Sequence, residues 1–292
     1  MLKGIGLLLL AELCFASATV FAKLVTNSSD ISAIEITFFR FLIGFIASAY
    51  TVYKQHIPLK PFNTNLVIWR AILNTAAVLL FFISVQHTTI TNANMLNMTY
   101  PIFIFIISPL FSKNKTKKIN YIFLIISSIG IYLVIHPDFH HINQGDVWGL
   151  LSGIVAAFGV TTLRMAREHD SAILILFYLM GIGLVINSLL IIPNFVVPHG
   201  INILYVALSA IIGFLGQVFI TVGYKHISAR EGSLISAARI VFAVLLGVTV
   251  FSEELSLRII SGGLLILSSI TGIGILSNGF KIPGNWKPIP KK

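Results

Sequence analysis

The chain states one pattern twice, and the count within each copy is odd. The stretch from Ser32 to Gly44 recurs from Ser171 to Gly183 with seven of thirteen residues identical. The same offset carries His87 onto His226, Asn94 onto Ser233, Asn97 onto Ser236 and Phe103 onto Phe242 without a gap. An offset two residues longer places Leu9-Leu10 on Leu150-Leu151 and Lys23 on Arg164. Each copy holds five apolar segments. If all ten cross a bilayer, the second copy must enter from the opposite side. Inverted repeats meeting near a midplane are the architecture of a carrier that alternates its access.

Composition supports the membrane reading. Hydrophobic residues make up 56% of the chain and charged residues 10%, well below the quarter usual in soluble domains. Apolar runs of about 20 residues cover about 30 Å of hydrocarbon at about 1.5 Å per residue. The spans are expected near 4–25, 31–53, 66–86, 91–111, 119–136, 146–166, 171–192, 202–224, 231–251 and 257–277, the fifth being the shortest. They must be helical, because lipid offers no partner to a free backbone group. The expected fold is therefore an all-α polytopic membrane protein of ten transmembrane helices. Its two inverted five-helix repeats are 1–138 and 139–280, followed by a cytoplasmic tail, 281–292.

The formal charge of +10 is an orientation signal. With the N-terminus inside, the inner connections hold Lys54, Lys60, Lys113, Lys115, Lys117, Lys118, Arg164, Arg167, Lys225, Arg230 and the tail lysines. The outer ones hold little beyond Lys23 and Arg258. Retention of Lys and Arg on the cytoplasmic side predicts that both termini are cytoplasmic. No basic stripe interleaved with exposed aromatics suggests a nucleic-acid partner.

The lone Cys14 can form no intrachain disulfide. The first 25 residues have some features of a signal peptide, but Glu12 interrupts the apolar run and cleavage would break the repeat. His136, Asp138, His140 and His141 share one loop without the spacing of a closed zinc site. No metal and no cofactor is expected, and no catalytic residue is assigned. No Walker loop, HExxH, nucleophile elbow or CxxC occurs.

Two five-helix repeats in a chain of this length resemble the drug/metabolite transporter superfamily, specifically its EamA-type members. Arg40 within the second span resembles an arginine common there. The fourth span, from Asn94 to Tyr100-Pro101-Ile102-Phe103, resembles the family's small-polar stretch ending in proline. Val241 to Gly247, running on to Glu253-Glu254, resembles its glutamate-ended ninth segment, and Gly262-Gly263 fits the last helix. Lys113-Asn114-Lys115 departs from the glutamate many relatives carry after the fourth span. The resemblance implies a central cavity walled by spans one, three, four, six, eight and nine. It also implies transport, with efflux the commoner direction in bacteria.

Function should lie where charge enters the membrane. Glu12 sits about 12 Å past the inner start of its span at about 1.5 Å per residue, and Arg239 lies at a similar depth in span nine. A charge at that depth must face a partner, water or a ligand. Their repeat positions are Gly153 and Tyr100, so neither charge comes from the duplication. A substrate or proton site and a structural ion pair are both open readings. The proposed substrate-binding set is Glu12, Asn74, Asn94, Asn97, Tyr100, Gln217, Tyr224 and Arg239, with Met98 and Phe15 offering apolar surface. The polar neutral members could equally bond helix to helix. Arg40 is expected to be structural, bonding freed carbonyls. Arg70 and Glu35 are expected to be interfacial, and Gly149 and Gly153 to pack within the bundle. Pro101 should break its helix locally.

The reading is a secondary, non-ATP carrier, not an enzyme. It would move a small polar or amphipathic organic metabolite, amino-acid-like, across the inner or plasma membrane, by efflux. Its partners would be that metabolite, the lipid bilayer, and a proton or counter-substrate as coupling species, in a monomer or homodimer. The alternatives are uptake of a nucleoside-type metabolite or cofactor, and an intramembrane enzyme or lipid-handling protein.

Overall fold

The computed structural model describes residues 2–88, 90–111, 118–135, 143–192, 195–251 and 255–277. Every regular element among them is a helix. In the first half these are α1 (Leu2–Ser28), α2 (Ala33–Lys54), α3 (Thr64–His87), α4 (Ile90–Asn97), α5 (Tyr100–Phe111) and α6 (Lys118–Ile135). The second half repeats the series as α7 (Gln144–Ala166), α8 (Ala172–Ile191), α9 (Ile201–Gly223), α10 (Ala229–Ser236), α11 (Ala238–Phe251) and α12 (Leu257–Ser277). The His136–Ile142 loop, the Lys113–Lys115 departure, Glu253-Glu254 and the tail lie outside the described residues.

The twelve helices of the described residues make ten spans, because the fourth and ninth are each broken. The break expected at Pro101 falls just before it, at Met98-Thr99, where the proline interrupts the backbone ladder. Its counterpart at Ala237 occurs at the repeat-equivalent position with no proline near it. The break therefore belongs to the fold, and proline reinforces only one copy. Seven of the ten spans are each an uninterrupted apolar helix long enough to cross a bilayer, and the ninth reaches that length as α10 and α11 together. The fourth is divided, and the fifth, α6, is shorter, as its sequence suggested.

Helix starts follow local chemistry. Ser32 caps α2 in a full capping box with Glu35, and Asn143 does the same for α7 with Asp146. Asn63, Ser171 and Ser228 cap α3, α8 and α10.

Packing exchanges the two copies. α1 lies along α9, and its counterpart α7 lies along α3. α2 packs on α8 and α6 on α12, each helix against its own counterpart. α1 meets α11 as α7 meets α5. This two-fold reciprocity, applied to copies that cross in opposite senses, is the inverted repeat. The bundle's apolar surface faces outward as the lipid solvent requires, with Leu110, Val185, Leu189 and Leu264 each more than 60% exposed.

Small residues set the closest approaches. A Cβ on Gly153 would lie 2.7 Å from the Leu96 carbonyl oxygen and 2.8 Å from Thr99 Oγ1. α7 thus rides directly on the α4–α5 break. Gly149 likewise faces Ser84 and Leu96, so both glycines pack within the bundle. Gly130 and Gly262 bring the α6 and α12 backbones together in the same manner.

Candidate functional site: a cationic cavity between the halves

At mid-depth, between the helices contributed by the two halves, lies a cavity of about 120 Å3. Its wall includes Phe15 and Thr19 of α1, Arg40 of α2, Arg70 and Asn74 of α3, and Asn97 and Tyr100 flanking the first break. The second half supplies Ala156, Ser209, Gln217 and Arg239. Towards the face where α1 ends, a second space of about 360 Å3 adjoins it, sharing Thr19, Ile36 and Phe82 and reaching Lys23 and Asp30. Towards the opposite face, buried Leu8, Leu163, Tyr224 and Leu234 fill the bundle.

The connections on that opposite face are tied across the halves. Asp170 accepts from the Phe62 backbone N–H at 2.8 Å, and Tyr178 donates its hydroxyl to the Leu59 carbonyl at 2.8 Å. Phe62 stacks on His169 with ring centroids 4.4 Å apart. Within the second half, Arg167 donates to the carbonyls of Thr221 and Asp170 and holds that corner in place. The passage is thus closed at one end and continuous with a vestibule at the other.

Glu12 and Arg239 meet, as their common depth suggested. Arg239 Nε donates to Glu12 Oε2 at 2.6 Å. Their exposures differ in a way that separates their roles. Glu12 is 0% exposed and does not line the cavity, whereas the Arg239 side chain is 17% exposed and does. The second carboxylate oxygen of Glu12 is buried without a hydrogen bond. Glu12 therefore stands behind Arg239 and fixes it, and the guanidinium presents its free edge to the cavity.

Arg239 also lies over the Phe15 ring, its guanidinium carbon 4.8 Å from the centroid. Arg40 approaches the same ring at 5.1 Å. Two cations on one phenyl ring gain from its quadrupole, each by about 0.5–2 kcal/mol, and they are held close despite their like charge. Arg40 was expected to bond carbonyls; instead, among the described residues, its guanidinium forms no hydrogen bond. It rests against Gly213, where a Cβ would come within 3.2 Å of its Cδ and Nε.

Arg70 and Glu35 both depart from the interfacial positions expected of them, and Arg70 is the one that reaches the cavity. It does not snorkel to an interface but is 3% exposed and lines the cavity. Its Nη1 donates to the Gly159 carbonyl at 2.9 Å, while its Nε is buried without a partner. The missed signal is Gly159 itself: a side chain there would begin 3.1 Å from Nη1, so the guanidinium enters only because α7 is bare at that turn. Glu35 is also buried, not interfacial. It accepts from the Ser32 and Val196 backbone N–H groups, both at 2.5 Å, tying the start of α2 to the segment before α9.

Of the neutral candidates, Asn74, Asn97, Tyr100 and Gln217 line the cavity. Asn97 donates to Ser152 Oγ at 2.9 Å across the α4–α7 contact. Gln217 is 3% exposed and its Nε2 has no partner. Asn94 and Tyr224 are not among the lining residues; Tyr224 is fully buried, its ring against Gly232. Met98 is buried at the break. The charges ignore the repeat: Arg40, Arg70 and Arg239 correspond to Leu179, Ser209 and Tyr100, and Glu12 to Gly153. The wall is symmetric in shape and asymmetric in charge.

An inverted pair of five-helix bundles enclosing a cavity with charged and amide side chains near the bilayer midplane defines a polytopic membrane protein of the solute-carrier class. Residues 2–136 and 143–275 each match the EamA-like transporter family, and the chain belongs to that family. Among curated relatives, an uncharacterized transporter of Helicobacter pylori is 28% identical over 92% of this chain and 93% of its own length. The pseudopaline exporter CntI of Pseudomonas aeruginosa is 24% identical over 95% of this chain and 98% of its own. Solute carrier family 35 member G1 of Mus musculus is 24% identical over 93% of this chain and 78% of its own. A solved crystal structure superposes with a TM-score of 0.79 at 14% identity, covering 96% of this chain and 99% of the other, which establishes the shared fold alone.

Proposed function

We propose that this protein is a non-enzymatic secondary carrier that exports a small polar or amphipathic, amino-acid-like organic metabolite across a bacterial inner membrane. The observation that carries the reading is the cavity itself: lined in part by charged and amide side chains, at mid-depth, between inverted halves, closed towards one face and joined to a vestibule at the other. The halves are taken as residues 1–138 and 139–280, with 281–292 a cytoplasmic tail. Rocking them about the cavity would exchange the open face, which is alternating access.

With both termini cytoplasmic, the vestibule faces outward and the Phe62–Asp170 and Leu59–Tyr178 contacts form the inner closure. The exporter among the relatives supports the outward direction. Coupling to a proton or counter-substrate supplies the driving force, since no nucleotide-binding loop is present in the sequence. The test is a thermal-shift screen of purified full-length protein against a metabolite library, followed by counterflow of each hit in proteoliposomes. A ligand that stabilises by mass action and exchanges across the vesicle membrane is the expected result. Binding without exchange, or chemical conversion of the ligand, would overturn the carrier reading.

A further inference from the structure

The charges around the cavity do not balance. Arg40, Arg70 and Arg239 all line it, and among the described residues the one carboxylate beside them is Glu12, which already holds Arg239. Glu35 is consumed by two backbone N–H groups. Asp146 and Glu231 sit in the capping turns of α7 and α10, and Glu168 pairs with Arg164 at the end of α7. Asp170 is engaged by Phe62 at the closed face. Asp30 lies out in the vestibule, with Lys23 beside it. Among the described residues, Arg40 and Arg70 therefore face the cavity with no carboxylate partner.

Uncompensated buried cations are costly, and a bundle keeps them only where a counter-charge or water reaches them. The remaining cavity polar groups reinforce the sign. Arg70 Nε and Gln217 Nε2 are buried donors without acceptors. Arg40 enters about 10 Å from the vestibule end of α2, and Arg70 about 9 Å from the closed end of α3, at about 1.5 Å per residue. The two unpaired guanidiniums thus stand towards opposite ends of the cavity, whose wall also carries the apolar Phe15 and Val78.

Resting on the carrier reading, we infer that the transported species is a small organic anion bearing two acidic groups in excess of its positive charges. One acidic group sits where Arg40 and Arg239 converge over Phe15. The other sits at the Arg70 and Gln217 donors, and a short apolar body lies along Phe15 and Val78. Glu12 is turned away from the cavity, so what remains exposed there is cationic, and the amino-acid-like class narrows to members whose acidic groups outnumber their amines. Dicarboxylates and phosphorylated carboxylates share the recognised chemistry.

The experiment uses full-length protein in detergent and in proteoliposomes, with a panel sorted by charge. The panel comprises succinate, citrate and phosphoenolpyruvate as anions, leucine and glutamine as zwitterions, and putrescine and lysine as cations. Anions should raise the unfolding temperature and exchange across vesicles, the dicarboxylate and phosphorylated arms distinguishing the two acid types. Each of Arg40→Gln and Arg70→Gln should weaken anion binding about tenfold or more. In the ligand-free state, Arg40→Gln should unfold no lower than the wild type, because it relieves an uncompensated charge; a guanidinium serving structure would lower it. Exchange of zwitterions or cations but not anions would overturn the anion assignment while leaving the carrier reading intact. So would anion affinity unchanged by both substitutions, or a panel in which no anion shifts unfolding. Anion binding without exchange would overturn the carrier reading and retain the site.

Discussion

Glu12 and Arg239 illustrate how one contact can divide structural and functional labour. Arg239→Gln strands a fully buried carboxylate, and breaking such a pair costs about 3–5 kcal/mol. Glu12→Gln strands a guanidinium that still reaches cavity water and the Phe15 face, so its loss of stability should be the smaller. The double substitution should recover most of the stability lost in Arg239→Gln, as coupled neighbours do, yet remain defective in transport because the cavity has lost a cation. Thermal unfolding and proteoliposome exchange, measured on all three variants, check this. Full transport by the stable double variant would remove both residues from the site. At this scale the sequence disclosed that Glu12, Arg40 and Arg239 carry charge at depth, and counting along two helices set Glu12 and Arg239 at a similar level. It could not disclose that Arg70 turns inward, since that depends on bare Gly159 of α7, a helix far away in sequence.

At the scale of elements, the broken spans organise the cavity. Each break frees backbone groups and lets the opposing long helix approach, α7 onto α4–α5 and α1 onto α10–α11. The glycines that permit the approach have unequal importance. Gly153→Val would drive a side chain into the Leu96 carbonyl and Thr99 hydroxyl, with about 1–3 kcal/mol or more lost to overpacking. Gly263→Ala has open space around its Cβ position, and replacing a helical glycine there should be neutral or add up to about 1 kcal/mol. Unfolding temperatures of the two variants should therefore move in opposite directions or differ markedly; equal losses would contradict the packing. Pro101 made the first break legible in sequence. The second, at Ala237, carries no local signal and is recognisable only as the repeat partner of the first.

At the scale of the whole molecule, orientation and closure are linked. Cysteines placed at Asn27 and Asn143 should react with an impermeant reagent in intact cells, whereas cysteines at Gln55 and His169 should react only after permeabilisation; the reverse pattern would invert the proposed topology. Asp170→Ala removes the acceptor for the Phe62 N–H on the closed face and should shift the population towards opening there. The predicted signature is faster labelling at His169-side positions and a weakened Kd for ligand entering from the vestibule, by up to about tenfold, since one charge-assisted hydrogen bond is worth about 1.5 kcal/mol. Unchanged labelling would assign the closure to the apolar packing of Leu8, Leu163 and Tyr224 instead.

Three things were determined by the sequence alone: a ten-span helical bundle, its division into inverted copies, and the presence of Glu12, Arg40 and Arg239 within the membrane. Each rests on properties that survive projection onto one dimension. Apolar run length is fixed by bilayer thickness, duplication by residue identity at constant offset, and charge by residue type. Tertiary structure alone decided which side of each helix meets which neighbour, because rotation about a helix axis in a uniformly apolar segment leaves almost no trace in the sequence. Burial of Glu12 behind Arg239, the convergence of Arg40 and Arg239 on Phe15, and the inward turn of Arg70 all depend on that rotation. Together they make the cavity cationic.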